Sequence, residues 1–246
     1  MLLLRVATAI VGVPVVIALI WWGGAGYSVA VGVILAVAAL EFYAAVAPTS
    51  TNPSLTENPL AALALAAVLP SLWLIARGET ERGLSEWLVV VGGVLYVGWL
   101  GSYLVPLRQL DNDGQWVFLA VFSAFANDTG AYFVGNAVGR TPLAPRISPS
   151  KTVEGSLGGL ICGAAAVPLL GYGLGLDIDV GPLIPLAILV PVAAQLGDLA
   201  ESLLKRSAGV KDAGVLVPGH GGVLDRLDSL LFVVPMVYYY ALWVIL

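Results

Sequence analysis

The residues with the greatest capacity for chemistry lie between Ser202 and Asp228, where the chain reads SLLKRSAGVKDAGVLVPGHGGVLDRLD. This segment holds four of the eleven basic residues and the only histidine. It lies between two apolar runs that are each long enough to span a bilayer. Charge at a membrane boundary is costly unless it is paired or functional. We therefore expect an active site at this boundary.

A polar stripe follows the helix that is predicted to lead into this segment. Gln195, Asp198, Ser202 and Lys205 recur at spacings of three and four, and Glu201 lies beside Ser202. These spacings place the side chains on one helix face. A lone lysine at a helix end usually anchors the helix at the interface, but a graded stripe is less easily explained that way. A structural ladder of salt bridges is the alternative to a catalytic face.

The loop that follows has the composition of a phosphate site. Its cations are Lys205, Arg206 and Lys211. The run GHGG, which contains His220, allows backbone N–H groups to approach phosphate oxygens closely, and it leads into the N-terminus of the next helix. An ordinary glycine turn is the alternative for GHGG alone.

Acidic residues at the start of the last span complete the pattern. Asp225 and Asp228 share one face of its first turn, with Arg226 beside them. Asp198 and Asp225 can meet across two neighbouring helices, where paired carboxylates would hold a divalent cation. Lysines and arginines around them would bind the phosphate groups of a triphosphate. These parts fit phosphoryl or nucleotidyl transfer better than acyl transfer, because no Ser-His-Asp or Cys-His set is evident.

Two blocks upstream carry further polar residues. Asn127 and Asp128 lie some ten residues inside the fifth predicted span, about 15 Å at 1.5 Å per residue. A carboxylate at that depth needs a partner or a cavity. The alternative is a hydrogen-bonded pair that only packs helices. The next loop ends SPSKTVEGSLGG, in which Ser148, Ser150 and Lys151 suit a phosphate.

Composition identifies the chain as an integral membrane protein. Of its 246 residues, 59% are hydrophobic and only 11% are charged, whereas globular domains carry roughly 25% charged residues. One cysteine, Cys162, and one histidine rule out a Cys/His zinc site within one chain. Any metal must therefore bind mostly to carboxylates, which favours Mg²⁺.

The predicted fold is all-α and polytopic, with about eight transmembrane helices (seven to nine) in a single membrane domain over residues 1–246. Residues 1–110 are expected to form a helical scaffold in which Glu41 is the only deeply placed ionisable residue, and residues 115–246 to supply the catalytic helices and loops. The two long loops, residues 138–154 and 205–223, lie on the same side of the membrane in this prediction. Most Lys and Arg residues fall on that side, which predicts a cytoplasmic location for both loops. The candidate spans are roughly 3–22, 27–47, 59–76, 87–106, 115–137, 155–175, 182–204 and 224–245.

The pattern S-x2-K-R-x4-K-D-x-G-x3-P-G-H-G-G-x2-D-R-x-D from Ser202 to Asp228 resembles the signature of the phosphatidate cytidylyltransferases (CDP-diacylglycerol synthases). The blocks ANDTGAYFVGNAVGR and SPSKTVEGSLGG resemble two further blocks of that family. The resemblance implies transfer of the cytidylyl group of CTP to phosphatidate in the cell membrane, with Mg²⁺ and a second, monovalent cation such as K⁺. It also implies a homodimer, with membrane lipid and no nucleic acid as partner.

Carried onto this sequence, the resemblance assigns Asp198 and Asp225 as metal ligands and as catalytic residues. Lys205, Ser202 and His220 complete the catalytic group. The expected substrate-binding residues are Asn127, Asp128, Ser148, Ser150, Lys151, Glu201, Arg206, Lys211, Asp212, Gly221, Gly222, Arg226 and Asp228.

The same residues fit two other functions less well. A CDP-alcohol phosphotransferase would need an Asp-Gly-x-x-Ala-Arg run, which does not occur in the chain. An ion-coupled transporter using Asp128 and Asp198 would predict inverted repeats and a site at the bilayer midplane. We find no such repeat, and the charges cluster at one face.

Overall fold

The computed structural model describes residues 2–46, 83–176, 178–214, 216 and 221–246. Helices dominate this part of the chain, which confirms the predicted all-α class. The elements in chain order are α1 Leu2–Trp22, α2 Gly24–Val46, α3 Gly83–Gly93, a π-helical segment Val94–Trp99, α4 Leu100–Ser102, α5 Leu104–Arg108, α6 Gln115–Val138, β1 Pro142–Ala144, β2 Ser148–Thr152, α7 Val153–Gly173, α8 Val180–Ser207, α9 Leu224–Leu227, α10 Leu230–Tyr240 and a second π-helical segment Ala241–Ile245.

Within the described residues, six helical stretches are long and apolar enough to cross a membrane. They confirm a polytopic membrane protein, and α1 is a further apolar helix of 21 residues. The predicted span 59–76 lies outside the described residues, so the count of eight stays a prediction. The six stretches are Gly24–Val46, Trp87–Arg108, Gln115–Val138, Val153–Gly173, Val180–Ser207 and Leu224–Ile245.

Helices α6 and α7 pack together through glycines. A Cβ atom at Gly155 would lie 2.8 Å from the backbone oxygen of Ala131, and one at Gly159 would lie 2.8 Å from that of Asn127. A Cβ atom at Gly163 would lie 2.7 Å from the Cβ atom of Pro191 on α8. Since such distances are far below van der Waals contact, only glycine permits this approach. Gly155, Gly159 and Gly163 recur at intervals of four in the sequence, a pattern that predicts a smooth helix face for close packing, and the structure confirms it.

A short β-hairpin follows α6, where the sequence predicted only a loop. Strands β1 and β2 are antiparallel and pair Pro142 with Thr152. The Glu154 carboxylate closes the base of the hairpin, because it accepts backbone N–H groups from Arg140 at 3.0 Å and from Thr141 at 3.1 Å. The Thr141 hydroxyl donates to the same carboxylate at 2.8 Å.

Arg206, in the last turn of α8, joins the hairpin to the loop that follows α8 through two hydrogen bonds. Its Nε atom donates to the carbonyl oxygen of Ile147 at 3.2 Å, and its Nη1 atom donates to that of Val210 at 3.2 Å. The two polar loops therefore meet at the same end of the helix bundle, as the predicted topology requires.

Candidate active site

A cavity of about 360 Å³ opens between α6, the hairpin, α7 and α8. Five predicted site residues contribute to its wall, from three separate segments of the chain: Asn127, Asp128, Ser150, Lys151 and Asp198. Ser156 of α7 and Gln195 of α8 are among its other polar residues. The cavity thus combines apolar surface with a set of hydrogen-bonding and charged groups that can orient a ligand.

The base of the cavity is fixed by hydrogen bonds between three helices. The Gln195 Nε2 atom donates to Asn127 Oδ1 at 3.0 Å and to the carbonyl oxygen of Ser156 at 2.8 Å. The Ser156 hydroxyl in turn donates to Gln195 Oε1. Asn127 is buried and donates through Nδ2 to Asp128 Oδ1 at 2.9 Å. Asn127 thus packs α6 against its neighbours and also orients Asp128, whose side chain is exposed on the cavity wall.

Asp198 faces the cavity with a lysine beside it. The distance from Lys151 Nζ to Asp198 Oδ2 is 2.5 Å, and both side chains are about one quarter exposed, at 26% and 29%. The Ser202 hydroxyl lies at the limit of hydrogen-bond length from Asp198 Oδ1, at 3.5 Å. The predicted polar stripe of α8 therefore places Asp198 and Ser202 next to each other. Lys151 of the hairpin supplies the positive charge that pairs with Asp198.

A second ion pair lies further along α8. The Lys205 Nζ atom is 2.6 Å from Asp225 Oδ1 and 3.3 Å from Glu201 Oε2. Asp225 also accepts backbone N–H groups from Ala213 at 3.1 Å and from Gly222 at 2.8 Å. The Asp225 carboxylate therefore binds the loop before the GHGG run and the last glycine of that run, and it fixes Lys205 at the same time.

The site holds more carboxylates than the two predicted metal ligands. The Ser229 hydroxyl donates to Asp128 Oδ2 at 3.4 Å, and the Ser229 backbone N–H donates to Asp228 Oδ1 at 2.7 Å. Glu201 shares Lys205 with Asp225. Asp198 and Asp225, which the sequence predicted as a metal pair, are each held by a different lysine, Lys151 and Lys205.

Negative charge is in excess in this group. Five carboxylates interact with Lys151, Lys205 and the exposed Arg226. Buried carboxylates without full compensation are costly, so this donor set fits a hard divalent cation. Among the described residues, no three metal-binding side chains already converge as a ligand set. The assignment of Asp198 and Asp225 as metal ligands stays a prediction.

The remaining predicted residues occupy different positions around these ion pairs. Ser148 is buried in the hairpin, and Gly221 adopts a left-handed backbone conformation with φ of +85°. Gly222 is buried and donates to Asp225. His220 lies outside the described residues. Four predicted contacts with a phosphate or nucleotide have side chains exposed to solvent at this end of the bundle: Arg206, Lys211, Asp212 and Arg226.

Glu41, which the sequence analysis assigned to the scaffold, contacts the loop between α8 and α9. Its Oε2 atom accepts the backbone N–H of Leu224, the first residue of α9, at 2.8 Å. A Cβ atom at Gly214 or Gly222 would collide with the Glu41 carboxylate. The signal in the sequence was an isolated carboxylate inside an apolar span, which is a functional hypothesis by default. Glu41 therefore positions the start of α9, and with it Asp225.

Replacing Glu41 by alanine is expected to lower kcat about 100-fold, because a shift of about 1 Å in a catalytic group can cost that much. Glu41→Gln keeps an oxygen that can accept the Leu224 N–H, so it is expected to retain most of the activity. Steady-state rates of the two variants would test this. Equal losses in both would show that the charge of Glu41 matters and not its hydrogen bond.

The fold and the site define a polytopic membrane enzyme with a polar, charge-lined cavity at one end of its helix bundle. The model of the "Cytidylyltransferase family" matches residues 55–244. The chain belongs to the cytidylyltransferase family.

Curated relatives agree with this membership. The chain is 33% identical to a phosphatidate cytidylyltransferase of Synechocystis over 96% of its own length and 95% of that protein. It is 39% identical to the Bacillus subtilis phosphatidate cytidylyltransferase over 72% of its length and 66% of the relative. It is 41% identical to the enzyme of that name from Staphylococcus haemolyticus, over 58% of its length and 54% of the relative. The matched region thus spans two thirds or less of the Bacillus and Staphylococcus proteins.

Proposed function

We propose that this protein transfers the cytidylyl group of CTP to phosphatidate, which gives CDP-diacylglycerol and pyrophosphate. The observation that carries the proposal is the arrangement of Lys151 and Lys205 over a chain of carboxylates beside a polar cavity within an apolar bundle. A site of this kind can hold a water-soluble polyphosphate and a lipid phosphate next to each other. Family membership and the names of the relatives support the same reaction.

In the proposed reaction, an oxygen of the lipid phosphate attacks the α-phosphorus of CTP. A new P–O bond forms, and the bond between the α-phosphorus and the bridging oxygen to the β-phosphate breaks, so that pyrophosphate leaves with that electron pair. The lipid phosphate is already ionised near neutral pH and needs little deprotonation. Catalysis then depends on position and on charge stabilisation, as in phosphoryl transfer generally.

The chain's own residues would divide this work between the two ion pairs. The Lys151 ammonium, which lies on the cavity wall, would bind a phosphate that enters the cavity. The Lys205 ammonium, held by Asp225 and Glu201, would stabilise charge that develops on the α-phosphate or on the leaving pyrophosphate. Ser202 would orient Asp198. The carboxylates Asp198 and Asp225 would hold Mg²⁺, which when bound neutralises phosphate oxygens and polarises the α-phosphate.

Several finer features belong to the same proposal. The polar end of the bundle, with the hairpin and the GHGG loop, would face the cytoplasm, where CTP is available. The excess of carboxylates leaves charge for a second, monovalent cation such as K⁺. The functional unit would be a homodimer. The rival reactions, another lipid phosphotransfer or ion-coupled transport, lack an observation that favours them over nucleotidyl transfer.

The test is an assay of the purified protein in detergent with labelled CTP, phosphatidate and Mg²⁺. We expect cytidine label to appear in the lipid extract and pyrophosphate to appear in equal amount. Omission of phosphatidate is the control for hydrolysis of CTP. Absence of lipid-extractable cytidine label from folded, Mg²⁺-supplied protein would overturn the proposed function.

A further inference from the structure

The guanidinium of Arg206 binds two backbone carbonyls, although the sequence predicted that it would contact a phosphate or nucleotide. Its Nε atom donates to the carbonyl oxygen of Ile147 at 3.2 Å, and its Nη1 atom donates to that of Val210 at 3.2 Å. A guanidinium presents its N–H donors as a planar fork, whereas the ammonium of a lysine is a single point. Two of the three guanidinium nitrogens of Arg206 are therefore engaged in joining two segments of the chain.

The end of α8 places one of these two carbonyls. Gly209 adopts a left-handed backbone conformation with φ of +74°, and its N–H donates to the carbonyl oxygen of Arg206 at 3.1 Å. The Val210 N–H donates to the carbonyl oxygen of Lys205 at 2.9 Å. This pair of bonds around a left-handed glycine is a Schellman motif, which closes the C-terminus of a helix. Val210 is thus fixed to α8, and its carbonyl oxygen holds the guanidinium beside Ile147.

The chain from Ile147 to Lys151 is anchored to α8 at both ends. Arg206 holds Ile147, and Asp198 holds Lys151, whose Nζ atom is 2.5 Å from Asp198 Oδ2. Residues 147 to 151 cover about 13 Å at the rise of a β-strand. Residues 198 to 206 cover about 12 Å at the rise of an α-helix. Since the two lengths agree, β2 lies along α8 in the opposite direction, with one anchor at each end.

The two anchors respond differently to a substrate. In the proposed reaction, the Lys151 ammonium binds a phosphate, so its contact with Asp198 would be given up. The base of the hairpin, where Glu154 accepts the backbone N–H of Arg140, would then be a pivot. The contact of Arg206 with Ile147 involves no phosphate-binding group of the hairpin and would persist.

We infer that Arg206 is a positioning residue of the transfer site rather than a phosphate contact. It holds the tip of the hairpin against α8, so that Lys151 stays at the cavity wall while its ammonium moves from Asp198 to a substrate phosphate. Without this anchor the hairpin opens locally, and Lys151 spends less time in the working position. The inference rests on the proposed function.

Trypsin reports directly on the anchor, because the exposed Arg146 directly precedes Ile147. Cleavage of the bond between them requires the turn to leave its folded conformation. Arg206→Lys keeps the positive charge but loses the fork, and Arg206→Gln loses both. In detergent and without substrate, we expect both variants to be cleaved at this bond about tenfold faster than the parent, the effect of losing one hydrogen bond to a charged group. The fragment that ends at Arg146 is identified by its mass.

Activity separates positioning from a direct phosphate contact. Both Arg206 variants are expected to lower kcat/KM about tenfold, because the fork and not the charge holds the hairpin. If Arg206 bound a phosphate, Arg206→Lys would retain most of the activity and only Arg206→Gln would lose it. The rate of tryptic cleavage would then equal that of the parent in both variants.

Arg140→Gln is the matched control, because Arg140 is exposed at the base of the same hairpin and contributes there through its backbone N–H. It should leave the cleavage rate and kcat/KM unchanged. In the Lys151→Met background, Arg206→Lys should still speed cleavage but have little further effect on kcat/KM, because the group that it positions is already absent. A merely structural arginine would lower kcat/KM equally in both backgrounds.

Three results would overturn the role of Arg206 alone in an active parent enzyme. They are cleavage of both Arg206 variants at the parent rate, parent kcat/KM in Arg206→Lys, and equal losses of kcat/KM in the parent and Lys151→Met backgrounds. The cleavage assay needs no substrate, so its result is distinguishable from that of the transfer assay. A parent enzyme that forms no product would overturn the proposed function, and the inference with it.

Discussion

Asp198→Asn and Asp225→Asn are each expected to lower kcat/KM at least about 1,000-fold, which corresponds to about 4 kcal/mol of transition-state stabilisation. Asparagine is nearly the same size as aspartate but is neutral, so each variant would lose a proposed carboxylate ligand of a hard cation. Asp198 is partly exposed and paired with Lys151, so its loss should change stability little. Activity and melting temperature measured on the same preparations would separate the two effects.

Asp113→Asn is the control for these variants, because Asp113 is exposed in the connection between α5 and α6. It should keep full activity. The Asp225→Asn variant also alters the acceptor for the Ala213 and Gly222 N–H groups, so some loss of stability is expected there. If either Asp198→Asn or Asp225→Asn turned over at the parent rate over a range of Mg²⁺ concentrations, the metal assignment would be refuted.

Lys205→Met should have the second largest effect, a loss of about 100-fold or more in kcat, which is typical when a preorganised stabilising group is removed. Lys205 is 15% exposed and lies between the nearly buried carboxylates of Glu201 and Asp225. Its removal leaves both without a counter-charge, and breaking a buried ion pair from one side costs about 3–5 kcal/mol of stability. The single variant alone therefore cannot separate folding from catalysis.

The double variant Lys205→Met with Glu201→Gln resolves this. It removes one positive and one negative charge, so it should regain much of the lost melting temperature. It should remain as inactive as Lys205→Met, because the ammonium that is proposed to stabilise phosphate charge is still missing. Recovery of activity together with stability would show that Lys205 serves the fold and has no part in the reaction.

The sequence was sufficient to predict the membrane class and the cluster of polar residues because these depend on local patterns. Apolar runs of about 20 residues identify spans, and spacings of three and four place Asp198, Ser202 and Lys205 on one face of α8. The glycine repeat that includes Gly159 predicted a helix face for close packing for the same reason, and α6 packs against that face. Each of these inferences concerns one helix or one pair of neighbouring helices.

Contacts between distant parts of the chain could not be predicted in this way. The pairing of Lys151 with Asp198 depends on how the hairpin folds back over the cavity, and no periodicity records that. The hairpin itself has strands of only three and five residues, too short for a clear alternating pattern. Glu41 lies in a segment whose composition is that of a scaffold. Its significance becomes visible only when α2 packs against α9.

The two ion pairs have a consequence for how the protein takes up its ligands. The Lys151 ammonium is paired with the Asp198 carboxylate, and the Lys205 ammonium is paired with the Asp225 carboxylate. In the proposed reaction, a polyphosphate that draws the ammonium groups away would leave both aspartates available to a cation. A cation that binds the aspartates would in turn free both ammonium groups for a polyphosphate. The two proposed ligands would then be thermodynamically linked, each raising the affinity of the other by the same factor.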